Sequence, residues 1–142
     1  YYGRAEKKDV PYKYYDDLAE MAANADVLML SCMGGDETKH LINAEILNAL
    51  GEKGVLINIA RGSVVDEAAL IEALVTKQIA AAGLDVYAKE PYVPEELIKM
   101  DNVVLLPHIA SATSETRAVM GELVIENLLA HFDGRALISP VQ

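Results

Sequence analysis

Four short apolar runs alternate with stretches of helical periodicity along this sequence. The clearest run begins at Val55, directly after a glycine, and continues to Ile59. An apolar run of this length between turn residues is typical of a parallel strand with helices on both faces. The alternation predicts an α/β fold with a doubly wound, parallel, Rossmann-type sheet. The expected strands cover residues 27–32, 55–61, 79–86 and 103–106, with Arg61 at the end of the second.

Capping residues and apolar spacing predict a helix before or after each of these strands. The first can be capped by Asp16 or Asp17, because short polar side chains accept hydrogen bonds from free backbone N–H groups. The last helix is the longest and carries Met120, Val124 and Leu128 on one face. The expected helices run from 16 or 17 to near 24, over 43–51 and 66–77, briefly from 95, and over 113–132.

Composition restricts the classes of partner and compartment. The chain has 142 residues, enough for one domain with a real core. Its net charge of −10 argues against nucleic acid as a partner, because phosphate binding needs a basic face. No apolar run is long enough to cross a membrane, and no secretion signal is visible. The single cysteine, Cys32, fits a reducing compartment, so we expect a cytoplasmic protein.

Polar residues follow three of the predicted strands. Arg61, Asp85 and His108 come at or just after the strand ends, and Glu90 lies on the loop after Asp85. Taken singly, each has an ordinary structural interpretation. Arg61 fits a solvated surface cation, and Asp85 fits a turn cap. Glu90 fits an exposed loop carboxylate, and His108 fits a hydrogen-bonded structural group.

Together these residues indicate chemistry, because all strands of a parallel sheet end on the same side. A carboxylate that orients one histidine nitrogen stabilises the imidazolium and makes an acid–base device. A neighbouring guanidinium can hold a carboxylate bidentately and polarise a carbonyl. Arg61, Glu90 and His108 therefore suit proton transfer coupled to hydride transfer at a carbonyl carbon.

Other chemistries find less support in the sequence. The three histidines, His40, His108 and His131, lack the spacing of metal ligands, so no metal is expected. Cys32 lies in an apolar run and is interpreted as a core residue rather than a nucleophile. No Gly-x-Ser-x-Gly motif is present.

Three segments carry a family resemblance: LINIARGSVVDEAAL, AAAGLDVYAKEP and NVVLLPHIASAT. In this order and spacing they resemble the D-isomer-specific 2-hydroxyacid dehydrogenases, with the greatest likeness to the glyoxylate and hydroxypyruvate reductase branch. The resemblance covers most of the chain. It implies reduction of a small 2-oxo acid to a D-2-hydroxy acid.

The resemblance also implies roles for individual residues. His108 would be the general acid, and Glu90 would pair with it and keep it protonated near neutral pH. Arg61 would bind the carboxylate and carbonyl of the 2-oxo acid, and Asp85 would contact the nicotinamide side of the cofactor. Further residues match positions that line the cofactor crevice, largely through backbone: Ser31, Cys32, Thr38, Ile59, Ala60 and, where glycine is frequent in the family, Ala110.

The choice of cofactor depends on Gly3 and Arg4. In NAD-specific relatives an acidic residue at this strand end bonds the ribose hydroxyls. Here a cation takes that place, and an arginine can pair with a 2′-phosphate, which favours NADP and leaves NAD possible. A basic surface loop is the alternative interpretation of Arg4.

The Gly-x-Gly-x-x-Gly motif of dinucleotide-binding domains is absent from the sequence, and the first residue is Tyr1. We therefore expect residues 1–112 to be a partial dinucleotide-binding domain without its first strand. Residues 113–142 would form a helix and tail that return toward a substrate domain absent from the sequence. In the family, subunits pair through their cofactor domains, so a homodimer is expected.

Two alternatives remain open from the sequence. One is a dinucleotide-sensing scaffold, because transcriptional corepressors share this fold and triad. The other is an inert fragment that lacks the phosphate-binding loop.

Overall fold

A computed structural model describes residues 1–140. Within that range, five α-helices and four β-strands follow one another along the chain. The helices are α1 (Leu18–Ala23), α2 (Ala44–Leu50), α3 (Glu67–Val75), α4 (Glu95–Ile98) and α5 (Ser114–Phe132). The strands are β1 (Val27–Leu30), β2 (Val55–Asn58), β3 (Ala81–Leu84) and β4 (Val103–Leu105).

The four strands form one parallel sheet in the order β1-β2-β3-β4. Val27 pairs with Val55 and Val55 with Ala81, so the first three strands start level with one another. Parallel neighbours need a crossover connection, and α2, α3 and α4 supply these connections in turn. The predicted α/β fold with a parallel sheet is confirmed for this part of a Rossmann-type domain.

Side-chain caps explain why the helices begin where they do. Asp17, rather than Asp16, caps α1 by accepting hydrogen bonds from the N–H groups of Ala19 and Glu20. The other caps work in the same way, since each accepts from an N–H three residues ahead. They are Asn43 for α2, Asp66 for α3 and Thr113 for α5.

The helices that flank these strands pack on one face of the sheet. Leu28, Leu56 and Leu84 point into a buried core, which α2 and α3 complete with residues such as Leu47 and Leu70. The alternate positions are open: Val27 is 54% exposed, Met29 58% and Val104 64%. The expectation of strands covered on both faces is therefore wrong for this chain. The strands have the apolar composition of a sheet buried on both sides, but the helices of the same unit, α1 to α4, cover one side.

The chain divides into two compact units, Tyr1–His108 and a second that begins at Ile109. In the second unit α5 exposes the apolar residues of its predicted stripe and buries Ala130. The domain boundary expected after residue 112 stays a prediction, and residues 141 and 142 lie outside the described residues. No described helix is both long and apolar enough to cross a membrane.

Candidate active site

The carboxyl edge of the sheet carries the candidate catalytic residues. β2 ends at Asn58, and Arg61 follows three residues later. Asp85 directly follows β3, and His108 comes three residues after β4. Because the strands are parallel, these ends lie along one edge, where ligands bind in open α/β sheets.

His108 and Glu90 form a hydrogen-bonded ion pair at this edge. The Nδ1 atom of His108 lies 2.7 Å from Oε2 of Glu90. Their side chains are 47% and 33% exposed, so a ligand can reach them from solvent. Since Glu90 engages Nδ1, Nε2 is the ring nitrogen that this contact leaves for a ligand.

Several contacts lower the pKa of Glu90 below the ordinary glutamate value of 4.5. The hydrogen bond with His108 has the largest effect, and partial burial opposes it. A hydrogen bond from the N–H of Tyr87 to Oε1, 3.1 Å long, and the charge of Arg61 act in the lowering direction. Both carboxylate oxygens are thus engaged, and the carboxylate is held in its charged form.

The backbone of His108 adopts an uncommon conformation. Its φ angle is 55°, in the left-handed region that residues with a Cβ rarely adopt. Such a conformation costs about 1–2 kcal/mol and persists where surrounding structure enforces it. It turns the chain after Pro107, so that the imidazole meets Glu90.

A buried asparagine shapes the turn that carries Arg61. Asn58 is 1% exposed, its Oδ1 accepts from the N–H of Ala60 at 3.0 Å, and its Nδ2 donates to the carbonyl of Arg61 at 3.1 Å. The amide thereby satisfies two backbone groups that leave the strand ladder. Arg61 is exposed, and its Nη1 donates to the carbonyl of Ala60 at 2.6 Å.

Two glycines let the strand-end loops approach closely. A Cβ at Gly34 would lie 2.8 Å from Cγ of Arg61, so the stem of that arginine runs against the loop after β1. A Cβ at Gly62 would lie 1.9 Å from the carbonyl oxygen of Tyr87, which is backbone and cannot swing away. The loops bearing Arg61 and Glu90 are therefore packed backbone against backbone.

Replacing Gly62 by alanine is expected to destabilise the fold by about 1–3 kcal/mol, the usual cost of overpacking a tight site. Urea denaturation of the full-length protein measures the change in the free energy of unfolding. Gly121→Ala is the matched control, because nothing lies within 4 Å of a Cβ there. That control should stabilise α5 by about 0.5–1 kcal/mol. Equal effects of the two substitutions would contradict the close approach.

The lowered pKa of Glu90 makes the folded state sensitive to acid. Its contribution to stability is present above the ordinary value of 4.5 and is lost as the pH falls below it and through the folded pKa. Glu90→Gln should therefore flatten the fall of the urea midpoint between about pH 6 and about pH 3. Glu96→Gln, on an exposed position of α4, is the control. Parallel curves for both variants and the parent would show that the ion pair adds no stability.

The residues predicted to line the cofactor crevice lie at the ends of β1 and β2. Ser31 and Cys32 follow β1 and are exposed, Ile59 is 39% exposed and Ala60 is buried. Thr38 closes the loop after β1, because its hydroxyl donates to the carbonyl of Met33 at 2.8 Å. The structure brings these residues to the same edge as Arg61.

The interpretation of Cys32 as a core residue is wrong. β1 ends at Leu30, so Cys32 lies beyond the strand ladder and is exposed. The strand predicted from the sequence runs through Ser31 to Cys32, two residues beyond its observed end.

The remaining predicted residues lie in different parts of the chain. Asp85 is 3% exposed at the end of β3, and its N–H donates to the carbonyl of Asn58 at 3.0 Å. The carbonyl of Gly3 accepts from the Tyr14 hydroxyl at 3.2 Å, and Arg4 is exposed on the loop that follows. Ala110 belongs to the second unit, and its role at the cofactor stays a prediction.

Residues 1–140 contain no cluster of side chains suited to bind a metal ion. No group of three or more His, Cys, Asp or Glu side chains in this range could hold a metal ion.

The family profile described as D-isomer specific 2-hydroxyacid dehydrogenase, NAD binding domain, matches residues 1–110. The chain belongs to this family. The predicted family is therefore confirmed, and the chain carries part of its NAD-binding domain.

Similar proteins agree with this membership. The chain is 52% identical to hydroxyphenylpyruvate reductase of Plectranthus scutellarioides and 50% identical to glyoxylate/hydroxypyruvate reductase A of Arabidopsis thaliana. Each alignment covers 99% of this chain and 45% of the relative. The chain thus spans less than half the length of these relatives.

A solved structure with the same fold is the NADPH-dependent glyoxylate/hydroxypyruvate reductase of Sinorhizobium meliloti, in complex with NADP and malonate. It superposes with a TM-score of 0.96 at 47% sequence identity, over 99% of this chain and 44% of that one. The likeness confirms the Rossmann-type fold of the partial domain.

Proposed function

We propose that the full-length protein reduces small 2-oxo acids, such as glyoxylate and hydroxypyruvate, to 2-hydroxy acids with NADPH, and forms the D-enantiomer where C2 of the product is a stereocentre. The observation that carries this proposal is the 2.7 Å pair of His108 and Glu90 at the carboxyl edge of the sheet. Arg61 is near enough for its charge to act on Glu90. An acid, its orienting carboxylate and an anion-binding cation are the groups that reduction of a charged carbonyl compound needs.

Arg61 binds the substrate in this proposal. Its guanidinium is exposed at the strand edge, where two parallel N–H groups can meet the two oxygens of a carboxylate. Asn58 fixes the turn beneath it, and Gly34 gives its stem room. The carbonyl next to the bound carboxylate is thereby oriented and polarised.

His108 supplies the proton. Glu90 accepts from Nδ1–H, which fixes the plane of the ring and stabilises the imidazolium. Nε2–H then donates to the carbonyl oxygen as that oxygen gains negative charge. The oxygen becomes a hydroxyl, the ring is left neutral, and it regains a proton from solvent.

The carboxyl edge of the sheet offers part of a dinucleotide-binding site. When bound, NADPH supplies the hydride that adds to the carbonyl carbon. The exposed residues after β1 and β2, including Ser31 and Ile59, would hold the cofactor, with Asp85 on the nicotinamide side. The glycine-rich motif that cradles the diphosphate is not among the 142 residues, so the chain supplies only part of such a site.

The preference for NADPH is supported by two observations. Arg4 is exposed in the stretch where NAD-specific relatives place an acid, and a guanidinium can pair with the 2′-phosphate. The similar Sinorhizobium meliloti enzyme is NADPH-dependent and was crystallised with NADP. NAD remains the second candidate.

Steady-state oxidation of NADPH by the full-length protein tests the proposal. We expect turnover with glyoxylate and with hydroxypyruvate, and none with glycolate, which has a hydroxyl in place of the 2-oxo group. No turnover with either 2-oxo acid would contradict the activity. A higher kcat/KM with NADH than with NADPH would contradict the cofactor preference alone.

Two further properties of the full-length protein stay predictions. One is pairing of two subunits through the cofactor domain, which analytical ultracentrifugation measures. The other is a cytoplasmic location.

A further inference from the structure

Tyr87 lies between the ends of β3 and β4 and is 7% exposed. Its hydroxyl oxygen is 2.8 Å from the carbonyl oxygen of Leu106 and 3.2 Å from that of Leu84. A hydroxyl has one proton, so the shorter contact is the better donated bond. The carbonyl of Leu84 also accepts from the N–H of Leu106 at 2.9 Å, whereas that of Leu106 accepts from Tyr87.

The same residue holds the catalytic carboxylate through its backbone. The N–H of Tyr87 donates to Oε1 of Glu90 at 3.1 Å, and Oε2 of Glu90 meets Nδ1 of His108 at 2.7 Å. Leu106 and His108 are two residues apart. The contacts therefore form a closed ring that runs through Leu106, Tyr87, Glu90 and His108.

Resting on the proposed function, we propose that Tyr87 is a positioning residue for catalysis. Its hydroxyl ties the end of β4 to the loop that carries Glu90 and so sets the geometry of the ion pair with His108.

Two features make this hydroxyl suited to the task. Pro107 separates Leu106 from His108, and its fixed φ leaves few ways to absorb a movement of Leu106. His108 itself has a left-handed φ of 55°, which needs enforcement by its surroundings. A shift of the Leu106 carbonyl would therefore reach the imidazole.

The hydroxyl also remains a donor across the pH range of interest. Burial raises the pKa of Tyr87, and the negative charges of Asp85 and Glu90 raise it further. The hydrogen bond to the carbonyl of Leu106 lowers the pKa, but the net shift is upward. The phenol thus keeps its proton where the enzyme works.

Tyr87→Phe in the full-length protein tests the proposal, because it removes the hydroxyl and keeps the ring. We expect kcat for NADPH-dependent hydroxypyruvate reduction to fall by about three- to tenfold, the weight of one hydrogen bond, while KM changes less. Tyr92→Phe is the matched control: this tyrosine is on the same loop, is 63% exposed, and contributes its backbone N–H to Lys89. It should leave kcat unchanged.

A second measurement does not depend on activity. The Hδ1 proton of His108 should give a downfield NMR signal in the parent and in Tyr92→Phe, because it is hydrogen-bonded to Glu90. In Tyr87→Phe this signal should move upfield or exchange with water. If the parent protein shows no turnover, the proposed function fails. The NMR comparison would still test whether the Tyr87 hydroxyl sets the geometry of the Glu90–His108 pair.

Three results would overturn the role of Tyr87. One is a kcat equal to that of the Tyr92→Phe control. Another is an Hδ1 signal that Tyr87→Phe leaves unchanged. The third is a Tyr87→Phe protein that fails to fold by circular dichroism, since the hydroxyl would then be needed for the fold itself.

Discussion

Replacement of His108 by alanine is expected to lower kcat for glyoxylate reduction by about two to four orders of magnitude. The substitution removes the proposed general acid, and it leaves Glu90 as a lone carboxylate beside the oxyanion that would develop. Substrate binding should suffer less, because Arg61, the proposed partner of the substrate carboxylate, is still present. Steady-state kinetics of the full-length protein with NADPH give both quantities.

His131→Ala is the matched control for this prediction. His131 is exposed near the end of α5, where its ring contacts that of Phe132. Its loss should leave kcat within about twofold, as expected for a surface substitution away from the site. A His108→Ala enzyme with kcat close to that of the control would rule out His108 as the acid.

Replacement of Arg61 by alanine is the second large effect. It should lower kcat/KM for the 2-oxo acid by about two orders of magnitude or more, because each hydrogen bond to a charged group is worth about 1.5–3 kcal/mol. Arg61→Lys should recover only part of this loss, since an ammonium cannot match a carboxylate bidentately. The KM for NADPH should change far less than that for the acid.

Arg135→Ala is the control for the loss of a guanidinium. Arg135 is exposed and pairs with Asp133 at 2.9 Å in the second unit, and surface pairs of this kind contribute little. Its kinetics should match the parent. An Arg61→Lys enzyme with full kcat/KM would show that charge alone, without bidentate geometry, is enough.

Local signals in the sequence predicted much of the fold. Asp17, Asn43 and Thr113 cap helices because a short polar side chain before an apolar stripe is a local device. The positions of Arg61 and His108 close to the ends of two strands were also visible in the sequence, so both could be assigned to one edge of the sheet. The parallel direction of the strands then follows from the alternation of elements.

What the sequence missed depends on contacts between distant segments. The need for glycine at position 62 comes from the nearby carbonyl of Tyr87, which the sequence does not show. The role of the Tyr87 hydroxyl likewise depends on its contact with Leu106. Asn58 offered a signal, as a polar residue in an apolar strand, but not its partners. The exposure of Cys32 and of one sheet face also escaped prediction, because apolar composition does not show what covers a residue.

Transfer of deuterium tests the central claim most directly. The full-length protein would be given hydroxypyruvate and NADPH carrying deuterium at the reactive C4 position of the nicotinamide, with both C4 epimers compared. The account predicts D-glycerate with deuterium on C2 from one epimer, in water of ordinary isotopic composition. Unlabelled glycerate from both epimers would contradict direct hydride transfer at the site formed by Arg61, Glu90 and His108, and L-glycerate would contradict the predicted stereochemistry.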